Sequence, residues 1–539
     1  MRSARGASHH LVAPWVAFAA LGVGIRLATL PGRIFGDDEL HSVRAALHSL
    51  GSVPASYEAL TAVDRLWLVT GIPLDEWTLR LPALVSAVVL VVVAPASVAR
   101  RLGSRVAAKF ACLLAISPVL VLYSGIARSY MPMLVLAVIA FGAFERWLET
   151  RSARAGVLYV IAAAGAIYFH LAAAPFVVSP LLSTAGLAIA RPQSGPSLRA
   201  VAGLGAAFAV AVTMLIAPTG SSPKVVLADM QQARTIELST VSGVAMLQSG
   251  TTSPAVAAAF WTAAAIGVGV LSRRQPRLAA YTVIAVACQL TALLVFAPLQ
   301  FHLAIVFNRY ALPILPIVLL WVAMAFAGTS GTPLEPARLG LAITLLVLLV
   351  ATSPFAEATF RRSPFLNHHD FVDFTRPRRP PSDEYVPAFY RTPAAAETRI
   401  EFPWDTTWRF ARPYAVYREY DHRSVLLATH DPDIADPRLR LRTVVPAEPS
   451  RLLATGATYL VVHRDLPAEE HALYRALGLR PDQGRIVSEA VSADFRGRAD
   501  RLARRLRREW GEPTSSDAAI EVWDLRVVRG RHTAVESTR

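Results

Sequence analysis

Three consecutive carboxylates, Asp37, Asp38 and Glu39, sit in the stretch RIFGDDELHSVRAALHSL (33–50), a few residues after an apolar run long enough to cross a membrane. Adjacent acids repel one another and so hold protons more tightly, and they are poor helix-interior residues, yet here they open an amphipathic segment. Acids so placed could take a proton from a hydroxyl group or sit beside a divalent cation. A single ionisable residue in such a place reads most simply as a solvated loop end; three in a row read as a site.

The elements that must position them follow from composition. The chain has 539 residues, 54% hydrophobic and 17% charged, with the apolar residues concentrated in the first two thirds, which is not the composition of a soluble protein. Apolar windows of about 20 residues, bounded by Arg clusters or by Gly and Pro, have the length a helix needs to cross about 30 Å of hydrocarbon. About eleven are visible, at 11–30, 81–99, 106–123, 130–147, 155–169, 171–190, 199–218, 255–271, 278–299, 309–327 and 339–354. The sequence predicts a membrane α-helical bundle.

Orientation follows from where the cations fall. One set of short loops carries Arg100, Arg101, Arg105 and Lys109, then Arg146, Arg151 and Arg154, then Arg191 and Arg199, then Arg273, Arg274 and Arg277, then Arg338; this set is expected to face the cytoplasm. Arg2 and Arg5 put the N-terminus on the same side, and an odd number of spans sends everything after about residue 355 outside. The first span runs into an acidic segment with no small-residue cleavage site, so it reads as a retained helix. Residues 1–354 hold 24 Lys and Arg against 12 Asp and Glu, and 355–539 hold 30 against 27, so most of the net charge of +15 is topological and does not point to nucleic acid.

Both cysteines, Cys112 and Cys288, lie inside expected spans, which leaves the exported tail without a disulfide. The tail, 385–539, reads as a soluble α/β domain. TRIEFPW (398–404), SVLLATH (424–430), ATYLVVHR (457–464) and AIEVWDLRVV (519–528) are β-rich, and EEHALYRALG (469–478) and RADRLARRLRREW (498–510) are helical. Residues 355–384 read as a linker after the membrane domain, 1–354, and Pro-rich RPRRPPSDEYVP (376–387) leads into the tail. NHHD (367–370) has metal-ligand residue types without ligand-like spacing and reads as a solvated loop.

With this topology the polar residues sort by side. Outer loops and outer helix ends collect Asp37, Asp38, Glu39, His41, Arg44, Asp64, Asp75, Glu76, Arg80, Arg128, Tyr130, His170, Lys224, Asp229, Arg234, Glu237, His302, Asn308, Arg309 and Tyr310, while the inner loops hold mostly lone arginines. A one-sided mixture of acids, bases and aromatics suggests a site at the outer surface.

Five stretches in chain order carry a family resemblance. GIRLATL (24–30) with DDELHSVRAAL (37–47), EWTLRLPALVSAV (76–88), YSGIARSYMPMLVL (123–136), YFHLAAAPF (168–176) and NRYALPILPIVLL (308–320) resemble motifs of the GT-C glycosyltransferases, over roughly residues 11–327. The likeness is to the branch that holds protein O-mannosyltransferases, aminoarabinose transferases and their bacterial relatives. Relatives usually have one Asp-Glu pair, and the extra Asp37 leaves the register of the acid open by one position.

The resemblance implies a polytopic enzyme that takes a sugar from a polyprenyl-phosphate donor, its tail in the bilayer, and passes it with inversion to an acceptor outside the cytoplasm. Such a transfer needs a carboxylate to accept the acceptor's proton and cations to stabilise the departing phosphate. The first outer loop, 31–80, supplies the carboxylate. Asp38 is the first candidate, Asp37 the alternative, and Glu39 would orient the loop or the acceptor. Arg128 and Arg309 are candidates for the phosphate because a guanidinium binds it in bidentate fashion; snorkelling of helix-end arginines to headgroups is the alternative. Tyr130, His170 and Tyr310 would line the donor pocket, or simply anchor helices at the interface. A polyprenyl monophosphate can leave with help from arginine alone, so no cofactor is required and a metal, though it would suit three carboxylates, is not demanded.

Expected partners are therefore the lipid-linked donor, membrane lipid and an acceptor that is a glycan, a lipid or a protein. Two rivals are a non-catalytic receptor or scaffold that uses the exported domain for binding, and a transporter. A transporter would place polar groups at the bilayer midplane, where these spans are apolar.

Overall fold

The computed structural model describes residues 14–30, 39, 42–43, 46–47, 55–190, 197–217, 238–295, 304–327, 335–353, 385–404, 412–476 and 489–537. Asp37, Asp38, His41, Arg44, Lys224, Asp229, Arg234, Glu237, His302 and the NHHD stretch lie outside them. The chain divides into two compact units, one of Met1–Pro31, His48–Val63 and Arg80–Arg362, the other of Gly32–Leu47, Asp64–Leu79 and Ser363–Arg539.

The first unit is helical, and the expected spans fall on described helices, the one at 106–123 on two. Among the described residues, seven segments are long and apolar enough to cross a membrane: Glu76–Leu102, Tyr130–Thr150, Leu171–Ile189, Leu198–Ile216, Pro254–Arg274, Pro276–Val295 and Phe307–Ala325. Pro14–Thr29 and Ala153–Phe169 are shorter apolar helices. The chain is thus built as a multi-pass membrane protein.

One expected span is not a straight rod. Ser104–Ile116 and Pro118–Ser124 meet at 60°. Pro118 has no N–H to offer the carbonyl four residues back, Leu114, and a carbonyl released inside a bilayer must find a partner within the protein. Fully buried Arg26 provides it, donating to Leu114 O at 3.0 Å, to Ala115 O at 3.3 Å and to Gly22 O of its own helix at 2.9 Å. Gly22 allows the close approach, since a Cβ there would stand 2.9 Å from Val91 Cγ1 and 3.0 Å from Ala115 Cβ. At Gly267 a Cβ would stand 1.7 Å from Trp321 O, so the helices Pro254–Arg274 and Leu315–Ala325 can pack as they do only around a glycine.

The second unit is built on a six-stranded sheet, ordered β3-β2-β1-β4-β6-β5, from β1 (Thr398–Phe402), β2 (Ser424–Thr429), β3 (Val444–Pro446), β4 (Tyr459–His463), β5 (Ser515–Ser516) and β6 (Ile520–Asp524). Strands β1 to β4 are parallel, and β5 and β6 are antiparallel additions. Alternation gives the sheet two faces. Ile400, Phe402, Leu460 and Val462 share an apolar core with Ala499, Leu502, Leu506 and Trp510 of the helix Glu489–Trp510. The other face carries Arg399, Glu401 and His463, all fully buried.

The expected strand at 519–528 ends earlier, at Asp524. The Asp524 carboxylate accepts the Arg526 N–H at 2.9 Å, capping the helix Leu525–Ser537, and Leu525 and Val528 reach the core at a helical spacing of three. Part of the first outer loop also belongs to this unit. Leu74 bridges Leu439, and the Glu76 carboxylate accepts from Arg442 N at 2.6 Å, Thr443 N at 2.9 Å and Thr443 Oγ1 at 3.0 Å.

Candidate functional site

The helical unit gathers polar side chains where its helices break. Between Ser124 and Tyr130 the chain turns irregularly, with Arg128 N–H bonded to Ile126 O at 2.7 Å, and this turn delivers Arg128 and then Tyr130 at the first residue of the helix Tyr130–Thr150. His170 is extended between Ala153–Phe169 and the short turn Leu171–Ala173. Its Nδ1 accepts the Ala172 N–H at 3.2 Å, so the neutral ring carries its proton on Nε2. Arg309 and Tyr310 end the helix Ala304–Ala311, before a 3₁₀ turn that contains Pro313.

These breaks meet. Arg309 Nη1 donates to the Tyr130 hydroxyl at 3.1 Å, and the Arg128 guanidinium lies 5.7 Å from the centre of the Tyr130 ring. The Tyr130 ring stands 4.9 Å from Tyr123 and 5.5 Å from His170, which meets Tyr310 edge-on at 5.2 Å. All five residues expected to bind substrate in this unit therefore form one cluster of rings and two guanidiniums. A cluster of that chemistry can hold an anion against aromatic surfaces.

A positioning residue escaped the sequence reading. Gln289, fully buried, donates from one amide nitrogen to Ala172 O at 2.7 Å and to Tyr310 O at 2.8 Å, tying the turn after His170 to the turn after Arg309. Its signal was a lone amide inside the apolar run AVACQLTALLV (285–295). Nearby, Gln248 donates to Asn308 Oδ1 at 2.6 Å.

Of the expected acids, Asp37 and Asp38 lie outside the described residues. Glu39 is described in the second unit, 3% exposed. The same unit holds Asp64, 2% exposed, whose carboxyl is pushed up to about 8 by burial and whose Oδ1 has no hydrogen-bond partner among the described residues. The sequence listed Asp64 among the outer-loop residues without a role; an acid in the middle of LTAVDRLWLV (60–69) was the available signal. Among the described residues no three His, Cys, Asp or Glu side chains are grouped to hold a metal.

The polar face of the sheet forms a second cluster. Arg399 bonds to Glu401 and to Asp421; His463 bonds to Glu401 through Nε2 and to Glu469 through Nδ1, each at 2.8 Å. The Tyr390 hydroxyl donates to Glu401 at 3.0 Å and the Tyr417 hydroxyl to Glu469 at 2.9 Å, with the two rings stacked 4.3 Å apart. Burial alone would lower the basicity of His463, but Glu469 and Glu401 raise it to about 9. Burial would raise the Glu401 carboxyl, but Arg399 and His463 hold it below the usual range.

The helical unit and its end cluster define a multi-pass membrane protein with a cationic, aromatic site at one end of its helices. No family model and no curated protein matches the chain. Among solved structures it is similar to an oligosaccharyltransferase of Archaeoglobus fulgidus, with 13% identity over 86% of this chain and 70% of the other and a TM-score of 0.42. It is also similar to ArnT of Cupriavidus metallidurans bound to undecaprenyl phosphate, with 13% identity over 85% and 97% and a TM-score of 0.43. A third similar structure is the mycobacterial arabinofuranosyltransferase AftD, with 18% identity over 95% of this chain but 41% of the other and a TM-score of 0.44.

Proposed function

We propose that the chain is a GT-C type glycosyltransferase that moves a sugar from a polyprenyl-phosphate donor to an acceptor outside the cytoplasm. The convergence of Arg128 and Arg309 on Tyr130, beside His170 and Tyr310, carries this reading. Two guanidiniums beside tilted and edge-on rings at the end of an apolar helical bundle suit a phosphate whose lipid tail remains in the bilayer. They would offset the charge that develops on the departing phosphate, while the rings hold the sugar and the start of the lipid chain. The base is assigned to the acidic first outer loop, Asp38 before Asp37, and it would take the acceptor's hydroxyl proton as the new glycosidic bond forms with inversion. Glu39 and the proton-holding Asp64 would shape the acceptor side of that loop. Arginine suffices for the phosphate, so the proposal includes no metal.

The test is direct. Purified full-length protein is incubated with a panel of polyprenyl-phosphate sugars, and release of the lipid phosphate is followed. One donor should be turned over, and Asp38→Asn should lower its turnover by about 10²-fold or more, the usual scale for loss of a general base, while donor binding is largely kept. Full turnover in both Asp38→Asn and Asp37→Asn, in protein shown to be folded, would remove the loop from the chemistry. Absence of lipid-phosphate release with every donor would favour the receptor reading.

A further inference from the structure

The helix Tyr130–Thr150 has a second feature at its other end. Its residues Val138, Phe141, Gly142, Glu145 and Glu149 line a cavity of about 580 Å³ within the helical unit, shared with Ala94 and Arg101 of Glu76–Leu102, with Phe176 and with Ile317. That volume falls in the range of small-ligand sites, about 300–1,000 Å³. Tyr130 and Glu145 are separated by fifteen residues of one helix, or about 22 Å at 1.5 Å per residue, so the charged mouth of the cavity is remote from the Arg128–Arg309 cluster, while its inner wall at Val138 is about 12 Å along the helix from Tyr130.

Its chemistry is graded. The inner walls are apolar, and Gly142 is exposed on the open side, where a Cβ built on it meets nothing within 4 Å. The mouth is charged. Arg101 is occupied, bonded to Glu145 at 2.5 Å and to Glu149 at 3.3 Å. Arg100 and Arg146, on the same rim, are exposed, and among the described residues they meet no carboxylate. Water gains little in such a space, because it needs two to four polar partners and the deep walls offer almost none. Hydrocarbon needs none, and the surrounding bilayer supplies it; Val93 and Leu158, at the margin of the cavity, keep 38% and 48% of their surfaces exposed.

We propose that this cavity holds one acyl chain of an anionic phospholipid, with the lipid's phosphate on Arg100 and Arg146. The occupant is a resident lipid of the membrane and not the sugar donor, because the mouth opens at the opposite end of the helix from the candidate site. The assignment does not depend on the transfer reaction.

Protein purified in mild detergent should carry one anionic phospholipid per chain, seen by native mass spectrometry and identified after organic extraction. Gly142→Leu, which places a side chain in the open space, should lower that occupancy at least tenfold with an unchanged or raised thermal midpoint. Arg100→Gln combined with Arg146→Gln alters only the exposed rim. It should abolish the preference for phosphatidylglycerol over phosphatidylcholine of the same chains when delipidated protein is reloaded. Full occupancy in folded Gly142→Leu protein would overturn the site, as would retention of a polyprenyl phosphate instead. Equal loading of the two phospholipids by the unaltered protein would overturn the headgroup assignment.

Discussion

The cluster at the helix ends and the cluster on the tail's sheet use the same residue types, Arg, His and Tyr, held by different means. On the sheet, two alternate positions of one strand supply Arg399 and Glu401, and their neighbours bring Asp421, His463 and Glu469 into the same buried layer. Every charge there meets an opposite charge of its own unit, as a fully buried layer requires. In the membrane unit, segments far apart in sequence meet at helix breaks, and the contacts described among them are ring against ring and guanidinium against hydroxyl. Strand alternation drives groups inward, where they must neutralise one another. Helix breaks leave groups at the ends of a bundle, where Arg128 and Tyr130 are buried but His170, Arg309 and Tyr310 are only half-buried. The first cluster therefore holds the tail together, and the second is the better place for chemistry.

Exchanging effects between the clusters is the sharpest way to break that distinction. Arg399→Met leaves buried Glu401 with His463 and buried Asp421 with Arg423 as their remaining cationic partners, which should cost about 3 kcal/mol, the lower end of the scale for breaking a buried pair. The tail's urea midpoint should fall steeply, and an unmoved midpoint would mean that the sheet-face network does not support the fold. Arg309→Gln should do the reverse, lowering sugar transfer by about 10² to 10³-fold, the scale for losing one donor to a developing anion, while the tail's midpoint stays put. Loss of folding in place of loss of transfer would assign Arg309 a structural role.

The sheet-face cluster also makes a pH prediction. The basicity of His463 is raised in the folded chain, to about 9, from an ordinary value of 6.5. Its contribution to stability, of order 3 kcal/mol at 1.36 kcal/mol per unit, is fully present below about pH 6.5 and is lost as pH rises through about 9. His463→Gln should flatten the stability profile between those values, and a tail that gains stability over that interval would contradict the imidazolium between two carboxylates. The smallest effect is expected at Gln289. Gln289→Leu removes two hydrogen bonds worth about 1 kcal/mol together inside a membrane bundle, so transfer should drop several-fold with the thermal midpoint nearly kept. A drop as large as that of Arg309→Gln would make Gln289 part of the binding surface itself.

Much of this architecture was legible in the residues. Apolar runs of membrane-spanning length marked the helices, and alternating β-rich runs marked β1, β2 and β4, because each pattern answers to a local period. The end of β6 was misread because VWDLRVV satisfies both periods, and only Asp524 bonded to Arg526 N turned the chain helical. Arg128, Tyr130, His170, Arg309 and Tyr310 were legible as candidates from their position at expected outer helix ends. The role of Arg26 was not, since an arginine in an apolar span reads as a cost until the bend at Pro118 supplies the carbonyls it serves.

The sequence by itself determined the membrane-spanning character of the long apolar runs, the α/β nature of the tail and the residue types available for a site. Hydrophobic length and side-chain period are properties of neighbours along a chain, so they can be read there. Only the tertiary structure decided that three distant helix breaks share Tyr130, that Gln289 ties two of them, that Leu74 and Glu76 join the tail's unit, and that Gly142 lies on the open side of a cavity. Each of these depends on which surfaces meet once the helices pack. Packing is set by the fit of many side chains at once, and no single stretch of sequence encodes it.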